Sequence, residues 1–365
     1  MHQDLFQAGR RLPFTTDSAL YSDVYEAEIL AVHPDRIDLH LSFHRGYLLL
    51  LPVGTRVRWL PPGLPGAGLT SRVIARNTAE KTWSVTLPAP DTARPRKTRV
   101  LAVGSGKGGV GKTTFCINAG LALMHCRQRV ILLDADIGLA NVEVLLGLHS
   151  SRNLTDVIQG GCTLADILTE GPGGIRILPG SSGISSLTRL DSLQFNRIIS
   201  GFAELEADCD VLILDTGAGL SELVLKFLES ADEFLLLTNP EPHAVMDGYY
   251  LTKVLSQRNP RIRVNLIVNR CESDQEARQC SDAFINATRQ FLGVTPVYLG
   301  WLPYNQMVPR SLKKKSPLFL SHPQADYSRS ILSIAQKLVG LPERQDRQSG
   351  LKAFWSRLKK SWLDV

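Results

Sequence analysis

Residues 104–113 read GSGKGGVGKT, and every residue type in that stretch suits the handling of phosphate. The pattern Gly106-x4-Gly111-Lys112-Thr113 satisfies the phosphate-binding-loop rule by itself. Gly106, Gly108, Gly109, Val110 and Gly111 offer backbone N–H groups that can turn inward around phosphate oxygens. Lys112 supplies charge for the β- and γ-phosphates, Thr113 a hydroxyl for Mg²⁺, and Thr114 a reach to the α-phosphate. Lys107 is surplus to that rule and needs its own account.

A Mg²⁺–phosphate site also needs carboxylates where neighbouring strands end. ILLD closes on Asp134-Ala135-Asp136, and LILD runs into Asp215-Thr216-Gly217-Ala218-Gly219. Asp215, behind an apolar run and ahead of a glycine-bearing loop, has the form of a Walker B carboxylate that holds Mg²⁺ through water. Asp134 and Asp136 both qualify for the site, one of them to orient an attacking water.

Such residues must sit on a strand–loop–helix unit, and the surrounding sequence supplies it. RVLAVGS, RVILLDA, IRILPG, DVLILDT, EFLLLT, RVNLIVN and VYLGWLP are short apolar runs separated by helical stretches. Strands buried on both faces and spaced by helices imply a mostly parallel sheet in an α/β fold. The phosphate loop then joins a strand over 99–104 to a helix starting near Lys112.

Residues 1–90 follow another rhythm. Alternating runs in 25–44, 46–63 and 71–90 are divided by turn signals such as HPDR and PVG, which predicts a small antiparallel β-barrel of about six strands. PAPDTARPRKTR shifts to Pro and Arg, so 91–97 reads as a basic linker, 98–340 as the α/β domain and 341–349 as a tether. The last stretch, GLKAFWSRLKKSWLDV (350–365), puts Leu351, Phe354, Trp355, Leu358 and Trp362 on one helical stripe, with Lys352, Arg357, Lys359 and Lys360 largely outside it. That is the pattern of a helix lying in a membrane interface, or of one docked on protein.

The bulk numbers narrow the classes. The 365 residues are 44% hydrophobic and 21% charged, an ordinary globular balance that excludes global disorder. A net charge of +6 suits an anionic membrane or nucleic acid without choosing between them. Cys116, Cys126, Cys162, Cys209, Cys271 and Cys280 form no CxxC pair, which argues against an iron–sulfur carrier and for buried thiols in a reducing compartment. The opening MHQDLFQAGRR lacks the apolar core of a signal peptide, and no apolar run approaches the ~20 residues that cross a bilayer. The expectation is a cytoplasmic protein.

KGGVGKTT, LLDADIGLAN, LILDTGAG and IVNR together resemble the deviant Walker A ATPases of the MinD and ParA family, over about residues 98–340. LLDADIGLANVEVLLGL is similar to the first switch of the flagellar-number regulators of the FlhG type. The resemblance implies a slow, regulatory ATPase that uses ATP and Mg²⁺ and dimerises with ATP. Lys107 would then reach across the dimer to the partner's phosphates, Lys112 and Asp136 would serve hydrolysis, and Asp136 would position the water. Asp134 and Asp136 would belong to one switch, Asp215, Gly217 and Gly219 to the other, and Asn269 with Arg270 would contact adenine. It also implies a membrane-targeting role for the final helix on the inner membrane's cytoplasmic face. The implied partners are a flagellar GTPase of the FlhF type, C-ring components and a flagellar transcription activator.

Departures from the family pattern are His243 in NPEPHAVMDGYY and Asn305 in LPYN. The barrel is similar in pattern to the N-terminal half of YcgR-type flagellar brake proteins, yet RxxxR spacing and a D/NxSxxG motif are missing. Cyclic di-GMP sensing is therefore not expected. A ParA-type partitioning ATPase holding DNA through Lys313, Lys314 and Lys315 is the alternative class, disfavoured by the amphipathic tail.

Overall fold

The computed structural model describes residues 6–16, 24–40, 43–44, 47–48, 51, 53–60, 69–77, 80–90, 98–136, 141–180, 192–260, 262–340 and 350–363. The 91–97 linker and the 341–349 tether lie outside them. The chain divides into two compact units, residues 1–96 and 97–365.

The first unit is all-β: β1 (Arg11–Thr16), β2 (Tyr25–Val32), β3 (Arg36–His40), β4 (Phe43–His44), β5 (Tyr47–Leu48), β6 (Arg56–Trp59), β7 (Leu69–Asn77), β8 (Thr82–Thr86) and β9 (Ala89–Pro90). The antiparallel pairings run β6-β1-β2-β3-β8-β7 and return from β7 to β6, so six strands form a ring. Alternation places Leu12, Phe14, Ile29, Leu39, Trp59 and Val85 inside. Phe14 centres the core, with ring centroids 5.4–5.8 Å from Trp83, Tyr25 and Trp59. The two indoles satisfy their N–H groups locally, Trp59 on the Ser71 hydroxyl and Trp83 on the His40 carbonyl.

The second unit is an eight-stranded sheet between two helical layers. Its strands are β10 (Arg99–Gly104), β11 (Val130–Ala135), β12 (Thr169–Glu170), β13 (Arg176–Leu178), β14 (Val211–Thr216), β15 (Glu233–Thr238), β16 (Val264–Cys271) and β17 (Val297–Pro303). The order is β12-β13-β11-β14-β10-β15-β16-β17, parallel except for β12. Every residue of β11, β14 and β15 is buried, which is why these strands read as continuous apolar runs.

The helices are α1 (Lys112–His125), α2 (Asn141–Leu146), α3 (Leu154–Gln159), α4 (Leu164–Ile167), α5 (Ser192–Leu205), α6 (Glu222–Ser230), α7 (Pro242–Arg258), α8 (Asp274–Leu292), α9 (Met307–Lys313), α10 (Leu318–Ser321), α11 (Asp326–Gly340) and α12 (Leu351–Leu363). One hydrophobic core joins α1, α2, α10 and α11 to the sheet, and a second joins α3 to α8 with α12. At β10 the strand order reverses, with β14 on one side and β15 on the other. Ligand sites of open α/β sheets form beyond the carboxyl ends of the strands at such a point.

The final helix forms, and its stripe is turned inward onto the domain, the protein-docked alternative of the sequence pattern. Leu351, Phe354, Trp355 and Leu358 are fully buried, packed against α5 and α6. The Trp355 ring lies 4.5 Å from that of Phe202, and Phe354 stacks on Phe227 at 6.4 Å. Polar contacts fix the register: Arg357 donates to Asp232 and to the Ser230 carbonyl, both at 2.9 Å, while Glu206 accepts from the Leu351 N–H. An apolar stripe with flanking cations satisfies a protein groove as well as a lipid surface. Here the groove is supplied by the chain's own aromatic rings. The Trp362 side chain is outside the described residues.

Candidate nucleotide site

The loop after β10 wraps the start of α1. Gly106 packs so tightly against the first turns of α7 that a Cβ there would stand 2.2 Å from the Asp247 carbonyl carbon. Gly111 combines φ +98° with a would-be Cβ 2.7 Å from Asn269 Nδ2. Neither position accepts a side chain, so these two glycines answer to geometry as well as to a ligand. The helix N-terminus at Lys112 completes an anion-attracting end.

The lysines have partners within the chain. Lys112 is buried, donates to the Ser105 hydroxyl at 2.9 Å, and is held below the usual lysine range chiefly by burial. Lys107 pairs with Glu241 at 2.7 Å, an exposed bridge at the start of α7. That bridge holds the Glu241 carboxyl below its ordinary range. The sequence pattern gave no sign of Glu241, because the contact spans 134 residues.

The carboxylates converge as strand neighbours. Asp134 and Asp215 are register partners on β11 and β14, and Asp215 also pairs in register with Val103 beneath the loop. Burial pushes Asp134 up to about 7, with the Asp215 charge adding to it, and pushes Asp215 up to about 6. Asp134 accepts from the N–H groups of Asp136 and Val142, clamping both ends of the intervening segment. Residues 137–140 lie outside the described residues. Asp136 sits over the loop after β14, since a Cβ on Gly217 would lie 3.3 Å from its carboxylate oxygen. Of the two aspartates left open by the sequence, Asp134 accepts the N–H groups on either side of the loop, while Asp136 follows the end of β11 and approaches Gly217. Gly219 turns with φ +85° and its N–H bonds the Ser105 carbonyl, tying that loop to the phosphate loop.

Asn269 is turned onto the loop, not toward an open base site. Its Nδ2 donates to the Val110 carbonyl at 2.7 Å and its Oδ1 accepts from the Arg270 N–H at 2.9 Å. Both halves of the amide are engaged, so contact with adenine would require exchange of these bonds. Arg270 adopts φ +60°, an uncommon backbone for a non-glycine residue. His243 is an exposed residue in the first turn of α7, and Asn305 accepts from the Met307 N–H at the start of α9.

The residues fit Mg²⁺ and a nucleoside triphosphate. Asp215 is buried, yet its Oδ2 has no hydrogen-bond partner. An oxygen in that position is costly unless a ligand or its water completes it. Thr113, which hydrogen-bonds Asp215, and the Oδ2 oxygen are the groups that would hold the hydrated metal.

A phosphate cradle at the strand-order reversal, with buried carboxylates on the next two strands, defines a P-loop nucleotide-binding protein. A family model described as an AAA domain matches residues 98–267. The antiactivator FleN of Pseudomonas aeruginosa is 39% identical over 260 residues, which is 71% of this chain and 93% of FleN. The flagellum site-determining protein YlxH of Helicobacter pylori is 29% identical over 72% of this chain and 90% of its own. Among solved structures, the MinC:MinD cell division complex of Aquifex aeolicus shares the fold with a TM-score of 0.56, at 24% identity, over 68% of this chain and 99% of that one. The MinD of Pyrococcus horikoshii, solved with Mg-ADP, gives a TM-score of 0.53 at 24% identity over 66% of this chain and 96% of that one. The chain belongs to the FleN family of MinD/ParA-type ATPases, enzymes that bind and hydrolyse ATP.

Proposed function

We propose that this ATPase is a dimeric switch that controls the number or placement of bacterial flagella from the cytoplasmic face of the inner membrane. The carrying observation is the surplus Lys107 at the mouth of the phosphate loop, free to exchange its exposed Glu241 partner for the phosphates bound by a second copy. The relatives FleN and YlxH, named as an antiactivator and a flagellum site-determining protein, support the flagellar setting. Candidate partners are a flagellar GTPase, C-ring components and a transcription activator.

In this reading ATP enters with its phosphates over the backbone of residues 106–111, where Lys112 leaves Ser105 to neutralise them. Thr113 and Asp215 would hold the hydrated Mg²⁺, which would supply further charge neutralisation to the triphosphate. Asp136 holds a water for attack on the γ-phosphate, and Lys107 lowers the barrier only when a partner protomer places it there. Hydrolysis removes that second phosphate contact and loosens the dimer. Membrane residence needs α12 to leave its groove, because one stripe cannot serve both surfaces. Two released helices per dimer would hold a membrane far better than one.

DNA partitioning is the second reading. The structure places Lys315 with its aliphatic stem over Gly147, at the end of α2, so the LysLysLys run is partly a packing element.

The test is co-sedimentation of Asp136→Ala with anionic liposomes, and separately with DNA, in ATP and in ADP, with dimerisation followed by analytical ultracentrifugation. An ATP-bound dimer that pellets with liposomes alone is expected. A variant that hydrolyses ATP at the wild-type rate, or pellets only with DNA, would overturn the reading.

A further inference from the structure

Cys116 stands one helical turn beyond Lys112 on α1, in contact with the carboxylate assigned to the metal. Its side chain is fully buried, and its Sγ lies 3.5 Å from Asp215 Oδ1, within reach of an S–H···O bond. The Thr113 side chain bonds the same carboxylate. The second oxygen, Oδ2, is buried without a donor. A carboxylate with one oxygen held and the other bare has its rotation fixed before any ligand arrives.

We propose that Cys116 is a positioning residue: its S–H holds one oxygen of Asp215 so that the other faces the hydrated Mg²⁺ of the bound nucleotide. The proposal rests on the nucleotide reading above and deepens it. A cysteine side chain ordinarily carries its proton at neutral pH, so the S–H is available as the donor. A thiol is a weak donor, which orients the carboxylate while leaving its negative charge available to the metal's water. Nothing in the helix pattern demands a sulfur at this position, since any small apolar residue would fill the space.

The experiment titrates Mg²⁺ against binding of a fluorescent ADP analogue, with EDTA as the metal-free arm. It compares wild-type protein with C116A, C116V and C116S, each checked for a native circular dichroism spectrum. C116A and C116V lack the donor. Their Mg²⁺ midpoint should rise about three- to tenfold, the span expected for one hydrogen bond. Their affinity in EDTA should match wild type. C116S keeps a donor on the same vector and should stay within about threefold of wild type. Three results would overturn the role: an unmoved midpoint in C116A and C116V, an equal loss with and without metal, or a C116S as poor as C116A. Wild-type protein showing no Mg²⁺-dependent tightening would sink the nucleotide reading itself, and the Cys116 role with it.

Discussion

Trp355 tests whether the last helix belongs to the domain. Its side chain is fully buried, with ring centroids 4.5 Å from Phe202, 5.3 Å from Phe354 and 6.3 Å from Phe195. Truncating a buried Trp costs about 3–5 kcal/mol, because transfer energy is lost and a cavity is left. In a cooperative unit of this size each kcal/mol lowers the melting temperature by about 2–4 °C. Trp355→Ala should therefore melt roughly 6–20 °C below wild type by calorimetry. The drop is capped by the docking free energy of the helix, since α12 can leave alone once that is exceeded. Lys352→Ala, on the exposed face of the same helix, should stay within about 0.5 kcal/mol of wild type. A Trp355→Ala protein that melts within about 2 °C of wild type would refute the docked helix and return the stripe to solvent or lipid.

Two further outcomes follow from the nucleotide site. Gly106→Ala places a Cβ 2.2 Å from the Asp247 backbone, so either the phosphate loop or α7 must shift; nucleotide affinity by calorimetric titration should fall at least tenfold, about 1.4 kcal/mol, and an affinity equal to wild type would refute the contact. The second outcome is a pH dependence. Asp134 and Asp215 are raised from 3.8 to about 7 and about 6, so the folded protein holds more protons than the unfolded chain between those limits. Stability present at acid pH is then lost as pH rises toward 7, and the melting temperature of nucleotide-free protein should fall between pH 5 and pH 8. Asp134→Asn should flatten that fall; an unchanged slope would show that the proton resides elsewhere.

Much of the fold was legible because burial writes itself into sequence. β11, β14 and β15 are covered on both faces and read as apolar runs, while the barrel strands are covered on one face and alternate. The phosphate loop was legible because its glycines and lysine are fixed by local geometry. What escaped was pairing across long separations. Glu241 meets Lys107, and Val110 meets Asn269, from distant parts of the chain, so no spacing rule reaches them. The roles of Asp134 and Asp136 were not separable two residues apart; only burial of the first and the approach of Gly217 to the second divides them. In α12 the apolar stripe calls for burial, but amphipathicity specifies a surface to cover, not whether lipid or protein covers it.

The contacts that escaped share one property: each occupies a group the proposed switch would need. Lys107 is held by Glu241, Lys112 by Ser105, Asn269 by Val110, and the α12 stripe by α5 and α6. Nucleotide and dimer partner must exchange these bonds, so the affinity they show is a difference between two bonded states. The exposed Lys107–Glu241 pair is screened by solvent and yields readily to triphosphate. The α12 groove is different, for it encloses fully buried aromatic rings and the ion pair of Arg357 with the buried Asp232. A ligand at the phosphate loop cannot empty that groove through the weak exchange alone. Release of the tail must draw on free energy from dimer formation or from a surface that takes up the same rings. Membrane residence would therefore require dimer formation or a lipid surface that takes up the rings, and nucleotide bound to a single protomer would leave the helix docked.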